Sequence, residues 1–169
     1  MTEQTGLLTD ALRARIGETR TYTAPEEIGR AAIRYFALAV GDDNPLYTDA
    51  EYARRHGHSD VVVPPTLIFE TNQYAGLPRD DVGYAGHSWD LDVPGTSLVR
   101  GGNTYTFHQA AGPDTVLHVT WRLADMQERT NRGGRQMLIV SSEASYRDQH
   151  DTLLAVNVET LIYAATGAE

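Results

Sequence analysis

The sequence predicts an α+β fold, in which a curved antiparallel sheet wraps around a long central helix. In the first half of the 169-residue chain, apolar residues recur every three or four positions, as on one face of a helix. From about Tyr105 onward they alternate with polar residues, as in strands with one buried face. A helical half followed by a run of strands favours a sheet that packs on a helix.

A lead-in helix and the main helix open the predicted order of elements. An N-terminal amphipathic stripe predicts the lead-in helix within residues 1–18, and a brief strand follows over residues 19–23. The sequence Thr23-Ala24-Pro25-Glu26 is a capping box with proline at the helix start. The main helix is therefore expected over residues 24–40, and Gly41 ends it.

Two shorter helices and a long loop follow the main helix. A second capping box, Thr48-Asp49-Ala50-Glu51, opens a helix that runs to about His56. Val61-Val62-Val63 is expected to be extended before proline, and Pro64-Pro65-Thr66 starts another helix. Residues 76–101 are rich in Gly, Pro and Asp without a clear period, which predicts a long surface loop of a length that is often functional.

The second half is predicted to form antiparallel hairpins. The alternation from Leu117 to Leu123 gives one face of a strand. Leu138, Val140, Ala144 and Tyr146 suggest the next strand, and Leu154, Val156, Val158 and Ile162 suggest the last. Asn131-Arg132-Gly133-Gly134 and Asp148-Gln149-His150-Asp151 separate these runs, so the strands are expected to pair as hairpins.

Composition excludes several classes of function. The length favours one domain over residues 1–169. The absence of cysteine excludes disulfides and cysteine nucleophiles, and it suits a cytoplasmic location. A net charge of −9 argues against nucleic acid and anionic membrane as partners, and neither a leader peptide nor a membrane span is expected. Six histidines without tight spacing predict no metal site, no cofactor is expected, and a surface loop explains His87.

The segment from Gly41 to Tyr47 is the most informative stretch of the chain. It holds two aspartates, an asparagine and a tyrosine directly after a predicted helix. A polar cluster at a helix end suits proton transfer. Asp, Asn, Gly and Pro are also the common residues of turns, and the pattern taken alone favours a turn.

The run from Arg34 to Asp49 resembles the signature of MaoC-like hot-dog dehydratases and hydratases of the N-terminal-domain type. That group includes the A-type, substrate-holding subunits of (3R)-hydroxyacyl-ACP dehydratases. Val62-Val63-Pro64-Pro65-Thr66 matches the group's second mark, and Glu128 to Arg135 matches its C-terminal half. The resemblance, over residues 10–163, implies a hot-dog fold and dehydration or hydration of a CoA or carrier-protein thioester. It also implies a homodimer, or a heterodimer with a second hot-dog subunit.

The resemblance places the catalytic residues at Asp42, Asn44 and Tyr47, with Asp42 facing a slot for the thioester. It places substrate contacts at Pro65 and Thr66. Tyr47 stands where active relatives carry histidine, and a phenol is a poor base at neutral pH. Pro65 falls on the oxyanion-hole glycine and lacks an N–H, so the Thr66 N–H or hydroxyl could replace that donor only if the loop is displaced. The chain is therefore expected to bind an acyl thioester and to contribute to dehydration weakly, or only with a partner subunit, and a non-catalytic binding subunit is the alternative.

Three further features carry open alternatives. Arg129, Arg132 and Arg135 form a basic cluster, which is either a solvated hairpin tip or a contact for the phosphates of the thioester carrier. Glu70 follows Thr66 by one turn and is favoured as a rim residue. A carboxylate on that helix also fits a hot-dog thioesterase or a cyclisation enzyme of specialised metabolism. Asp49 is expected to cap a helix.

Overall fold

The computed structural model describes residues 6–166, and its centre is one antiparallel sheet. The five strands are β1 (Thr19–Thr23), β2 (Thr96–Phe107), β3 (His118–Thr130), β4 (Gln136–Arg147) and β5 (Leu153–Ala165). The α-helices are α1 (Asp10–Ala14), α2 (Arg30–Val40) and α3 (Ala50–Arg55), and two 3₁₀ helices span Pro45–Tyr47 and Pro65–Phe69. The predicted α+β class is confirmed.

The strands lie in the order β1-β3-β4-β5-β2. The two hairpins predicted for the second half are confirmed, because β3 pairs with β4 and β4 with β5, all antiparallel. Val119 lies opposite Tyr146, which lies opposite Ala155, so one row of residues crosses the three strands. The strand β2 pairs only with β5, so its other side is a free edge among the described residues.

The core lies on one face of this sheet. Leu117, Val119, Trp121 and Leu123 are buried in the first hairpin strand as predicted, and Leu138, Val140, Ala144 and Tyr146 are buried in the next. The segment from Leu67 to Val93 covers that face. The Trp121 Nε1 donates to the Tyr74 hydroxyl at 2.8 Å, and the Trp89 Nε1 donates to the Ser142 hydroxyl at 2.8 Å.

The main helix begins at Arg30, so the predicted start at residue 24 is wrong. Backbone bonds to the segment before β3 hold residues 24–29 in a non-helical conformation. The Ala24 N–H donates to the Leu117 carbonyl at 2.8 Å, and the Ile28 N–H donates to the Thr115 carbonyl at 3.0 Å. Tertiary pairing therefore overrides the local capping box.

The long loop predicted over residues 76–101 is also corrected, because β2 begins at Thr96. The loop does not lie wholly on the surface, since Trp89 and Val93 are buried in the core. The helix predicted after Pro64 is the five-residue 3₁₀ helix Pro65–Phe69. Glu70 follows its end rather than lying on a long helix.

The short helices agree with their predicted positions, although their bounds are narrower. Within the predicted lead-in region 1–18, α1 has five residues, and residues 1–5 of that prediction lie outside the described chain. Asp49 caps α3 by accepting the Glu51 and Tyr52 N–H groups, both at 2.9 Å, so the predicted N-cap role is confirmed.

One side of α2 faces away from the core. Ile33 and Ala37 are buried, whereas Tyr35, Leu38 and Val40 are 66%, 69% and 59% exposed. The buried face of α2 is therefore narrow, although the sequence predicts apolar residues at every third or fourth position of this helix. Within residues 6–166, every helix is too short or too polar to cross a membrane.

Candidate functional site

A chain of short hydrogen bonds shapes the turn after α2. Gly41 ends the helix in the left-handed region at a φ of 71°, and the Asp42 N–H donates to the Ala37 carbonyl at 2.9 Å. The Asp42 Oδ1 then accepts the Asn44 N–H at 3.1 Å, and the Asn44 Oδ1 accepts the Leu46 N–H at 3.0 Å. The polar residues thus build the turn, while the Asp42 Oδ2 takes no part in these bonds.

The three predicted catalytic residues lie in this one turn, with different exposures. Asp42 is exposed, Asn44 is half-buried, and Tyr47 is 9% exposed. Burial raises the pKa of the Tyr47 phenol, the Asp42 carboxylate raises it further, and the Asn44 side chain opposes them. Tyr47 therefore stays protonated at neutral pH and can donate a hydrogen bond, which leaves Asp42 as the candidate base.

A mainly apolar groove of about 200 Å³ lies beside this turn. It lies between the segment around the second 3₁₀ helix and the chain that leaves β2, and its lining residues are Val62, Val63, Pro65, Ile68, Phe107, His108, Gln109, Ala110 and Ala111. The turn borders the groove because the Val62 N–H donates to the Leu46 carbonyl at 2.8 Å. Asp42, Asn44 and Tyr47 do not line it, and Leu46 is the residue of the turn that bonds to its wall. That Asp42 faces a slot for a thioester therefore stays a prediction.

Pro65 lines the groove and Thr66 follows it at the start of the 3₁₀ helix Pro65–Phe69. Pro65 has no N–H to offer a bound carbonyl. The first available donor is the Thr66 N–H, which bonds to no acceptor within residues 6–166. Thr66 as a residue is exposed.

The predicted arginine contacts are not near this groove. Arg129, Arg132 and Arg135 are exposed at the β3–β4 hairpin tip. The groove lies at the other end of the sheet, where Phe107 shares a row of paired residues with Val119. At about 3.3 Å per residue, the tip lies on the order of 35 Å from Val119 along the strand. Within one chain, these arginines therefore do not line the groove, and their contact with the phosphates of a carrier stays a prediction.

A second, polar cavity of about 40 Å³ lies farther along β2, beneath the long loop. Glu70 opens onto it, and so do the buried Asn157 and Glu159 of β5. Sequence reasoning missed both β5 residues because it predicted the face of Leu154, Val156 and Val158 as buried. Val158 is 39% exposed, so the prediction that its face is buried is wrong at this residue. Asn157 and Glu159 pair with the buried residues Ala144 and Ser142 of β4, and knowledge of that register would have identified them as buried.

The polar cavity also holds His87, which the sequence assigned to a surface loop. Its ring stacks on Trp121 with centroids 4.3 Å apart, and its Nδ1 is hydrogen-bonded to the Tyr22 hydroxyl at 3.0 Å. Burial lowers the pKa of His87 to about 4, and the nearby Arg20 lowers it as well. The histidine is therefore neutral at pH 7.

The sequence of residues 14–157 matches the family described as FAS1-like, dehydratase domain region. A UPF0336 protein of Clavibacter michiganensis is 46% identical over 148 residues, which are 86% of this chain and 91% of that protein. A UPF0336 protein of Streptomyces coelicolor is 57% identical over 67 residues, so the match spans less than half of its length, 45%. A probable enoyl-CoA hydratase alpha subunit of Thermomonospora curvata is 26% identical over 146 residues, 83% of this chain and 45% of that protein.

Solved structures of similar fold include subunits of two complexes from Mycobacterium tuberculosis. The ChsH1–ChsH2 complex matches with a TM-score of 0.68 and 21% identity, over 88% of this chain and 85% of that one. The HadBC (3R)-hydroxyacyl-ACP dehydratase complex matches with a TM-score of 0.59 and 21% identity, over 86% and 96%. At this identity the likeness shows the fold, and it confirms the predicted hot-dog architecture.

Proposed function

Since this chain belongs to the MaoC-like hot-dog family, in its FAS1-like dehydratase region, we propose that it adds water reversibly to an enoyl thioester. The product is the 3-hydroxyacyl thioester, and the reverse reaction is dehydration. We further propose that the chain works as one subunit of a hot-dog dimer, either with its own copy or with a second hot-dog chain.

One observation supports this proposal: the carboxylate turn bonds to the wall of the apolar groove through Leu46, and an N–H without a described partner follows Pro65 of that wall. The turn supplies Asp42, which is exposed and has one oxygen outside the turn's hydrogen bonds. The groove offers apolar walls for an acyl chain, and Thr66 follows Pro65 at its edge with an unpaired N–H. An enoyl thioester has matching parts, namely an apolar chain, a carbonyl oxygen and an electrophilic β-carbon.

The chemistry follows from these parts. As the water oxygen bonds to the β-carbon, Asp42 accepts a proton from that water. The electron pair of the C=C bond moves to the thioester oxygen, and the resulting enolate oxygen is stabilised by the Thr66 N–H. The Asp42 carboxylic acid then returns its proton to the α-carbon, so the carboxylate is regenerated. Tyr47, which stays protonated, holds the water through its hydroxyl.

A partner subunit is part of the proposal because the single chain leaves the site open. Asp42 is exposed, and a carboxylate in bulk water gains little from a preorganised environment. The free edge of β2 is 12 residues long and carries the exposed apolar side chains of Leu98 and Val99. Long free edges are normally covered. Pairing along this edge would close the groove, which ends at Phe107 of the same strand.

The test is hydration of crotonyl-CoA by the purified protein, followed as loss of the enoyl absorbance. Asp42→Asn keeps the size of the side chain but removes the base, so the rate is expected to fall about 10²–10⁴-fold. The matched control is Asp43→Asn, which changes the neighbouring exposed carboxylate and should leave the rate within about twofold of wild type, as is usual for a surface change. Equal losses in both variants would contradict the assigned role of Asp42.

A non-catalytic binding subunit is the second candidate, because Pro65 lacks the donor N–H and Tyr47 is not a base. It predicts that crotonyl-CoA binds to wild type and to Asp42→Asn with similar affinity, and that in the presence of a second, active hot-dog chain the Asp42→Asn substitution leaves the hydration rate unchanged. A binding measurement on both proteins, made beside the rate assay, separates the two functions.

A further inference from the structure

The polar cavity beneath the long loop is distinct from the apolar groove. Its floor is formed by Asn157 and Glu159, which lie on β5 opposite Tyr105 and Asn103 of β2. Its volume of about 40 Å³ admits roughly two or three water-sized groups. The ring of Phe69 separates it from the groove, because it stacks on Tyr105 at 4.2 Å and lies 5.8 Å from the Phe107 ring.

One buried hydrogen-bond acceptor of this cavity lacks a partner in the described chain. Asn157 is 4% exposed, and its Nδ2 donates to the Asn103 Oδ1 at 2.9 Å. The Asn157 Oδ1 is buried without a partner in the described chain. Buried carbonyl oxygens are normally paired, and leaving one unpaired costs free energy. A ligand that fits the cavity can supply the donor that this oxygen lacks.

The charge of the cavity is negative. Glu159 is 8% exposed, and its Oε1 accepts one bond from the Arg100 Nη1 at 3.0 Å. Glu70 opens onto the same space, and no described arginine, lysine or histidine lies within 4 Å of its carboxylate. His87 adds no positive charge at neutral pH, because burial lowers its pKa to about 4. Two carboxylates thus face one guanidinium, whose side chain is 65% exposed at the rim.

Aromatic rings form the rest of the wall. The rings of Phe69 and Tyr105 are stacked, and Tyr146 meets Phe69 edge-on at 4.8 Å. Burial raises the pKa of Tyr74 to about 12, so its phenol stays neutral. Carboxylates combined with aromatic faces attract a compact cation. An anion would meet the repulsion of Glu70 and Glu159.

We propose that this cavity binds a protonated primary amine, with its N–H groups directed at Asn157 Oδ1 and at the carboxylates of Glu70 and Glu159. The small volume limits the ligand inside the cavity to the ammonium group and its nearest carbon atoms. The amine is either a free alkylamine or the amino end of an acyl group whose chain lies in the groove. Only the second source rests on the proposed function, and it requires the Phe69 ring to move aside.

The first experiment titrates the full chain at pH 7 with ethylammonium chloride, ethanol and sodium propionate while tryptophan fluorescence is recorded. Trp121 lines the cavity and reports occupancy. Ethylammonium is expected to give a saturable change, about tenfold tighter than ethanol, whereas propionate gives none. Equal responses to ethanol and ethylammonium would overturn the assigned charge, and the lack of any saturable response to ethylammonium would overturn the site. Neither outcome depends on dehydratase activity.

A variant pair localises the binding. Glu70→Gln removes one cavity charge at an exposed position where folding should be unaffected, and the dissociation constant for ethylammonium is expected to rise about fivefold. Glu51→Gln, on the exposed side of α3, is the matched control and should leave the constant unchanged. Equal effects in both variants would overturn the assignment to the cavity.

The source of the amine is tested with two acyl-CoA thioesters of equal length, one ending in an amino group and the other in a methyl group. Preferential binding of the amine-ended thioester, reduced in Glu70→Gln, identifies the acyl chain as the source. Equal binding of both thioesters, with ethylammonium still bound, identifies a free amine. Because these are binding measurements, a loss of hydration activity alone would count against the proposed function and not against this site.

Discussion

Replacing His87 should reduce the loss of folding stability that this protein undergoes in acid. The imidazole lies against Trp121 and meets the Trp89 ring edge-on at 4.5 Å, and its Nε2 is buried without a partner in the described chain. Protonation would place a cation in that position, near the guanidinium of Arg20. Burial is the main reason why the pKa of His87 falls to about 4, from an ordinary value of 6.5.

The pH range over which His87 changes the folding stability follows from its lowered pKa. Between pH 6.5 and 4 the unfolded chain binds a proton at this residue and the folded chain does not, so acid favours unfolding. The stabilisation is complete above pH 6.5 and is lost as the pH falls toward 4. Between pH 7 and pH 5 the loss is about 1.8 kcal/mol for the full shift. Because the ring is half-buried, solvent screening reduces this to about 1 kcal/mol.

Urea unfolding at pH 7 and pH 5 measures this contribution in wild type and in His87→Gln. The variant should be less stable at pH 7 because the aromatic stacking is lost, but it should lose about 1 kcal/mol less on acidification than wild type. His150→Gln, at the exposed β4–β5 turn, controls for the removal of one histidine. An identical loss of stability on acidification in wild type and His87→Gln would refute the account of the buried neutral ring.

Three further predictions concern stability and assembly. Asp49→Ala removes the N-cap of α3, and urea unfolding should show a loss of about 1 kcal/mol; no loss would contradict the two capping bonds. Trp89→Phe leaves the fully buried Ser142 hydroxyl without its donor and should cost about 1–3 kcal/mol, part of which Ser142→Ala should restore in the double variant. Val99→Lys on the β2 edge should lower the mass measured by light scattering toward that of one chain, and an unchanged mass would exclude that edge from the dimer.

The hairpins of the second half could be predicted because their signals are local. Alternation marks Leu117 to Leu123 as one face of a strand, and the turn-forming Asn131 accepts N–H groups from Gly133 and Arg135 at 2.9 and 3.0 Å. The buried face of β5 could not be predicted in the same way. Val156 and Val158 are more apolar than Asn157 and Glu159, yet the polar pair lies inside, because pairing with β4 fixes the register.

The predicted start of the main helix was wrong for a related reason. The capping box at Thr23 is a local preference of about 1 kcal/mol. Backbone hydrogen bonds from Ala24 and Ile28 to the chain before β3 outweigh this preference, and no pattern in the neighbouring sequence predicts those bonds. The helix therefore begins only at Arg30, after Gly29 adopts a positive φ of 78°.

The sequence by itself determined the carboxylate turn, since the side chains of Asp42 and Asn44 each bond to a backbone N–H two positions further along the chain. It also determined the α+β class, because the spacing of apolar residues in helices and their alternation in strands can each be recognised within a short stretch of sequence. Only the tertiary structure decided that the arginines of the hairpin tip lie far from the groove and that Glu70 and Glu159 share one cavity. These relations join residues that are far apart in the chain, and they follow from strand register and packing rather than from local preference.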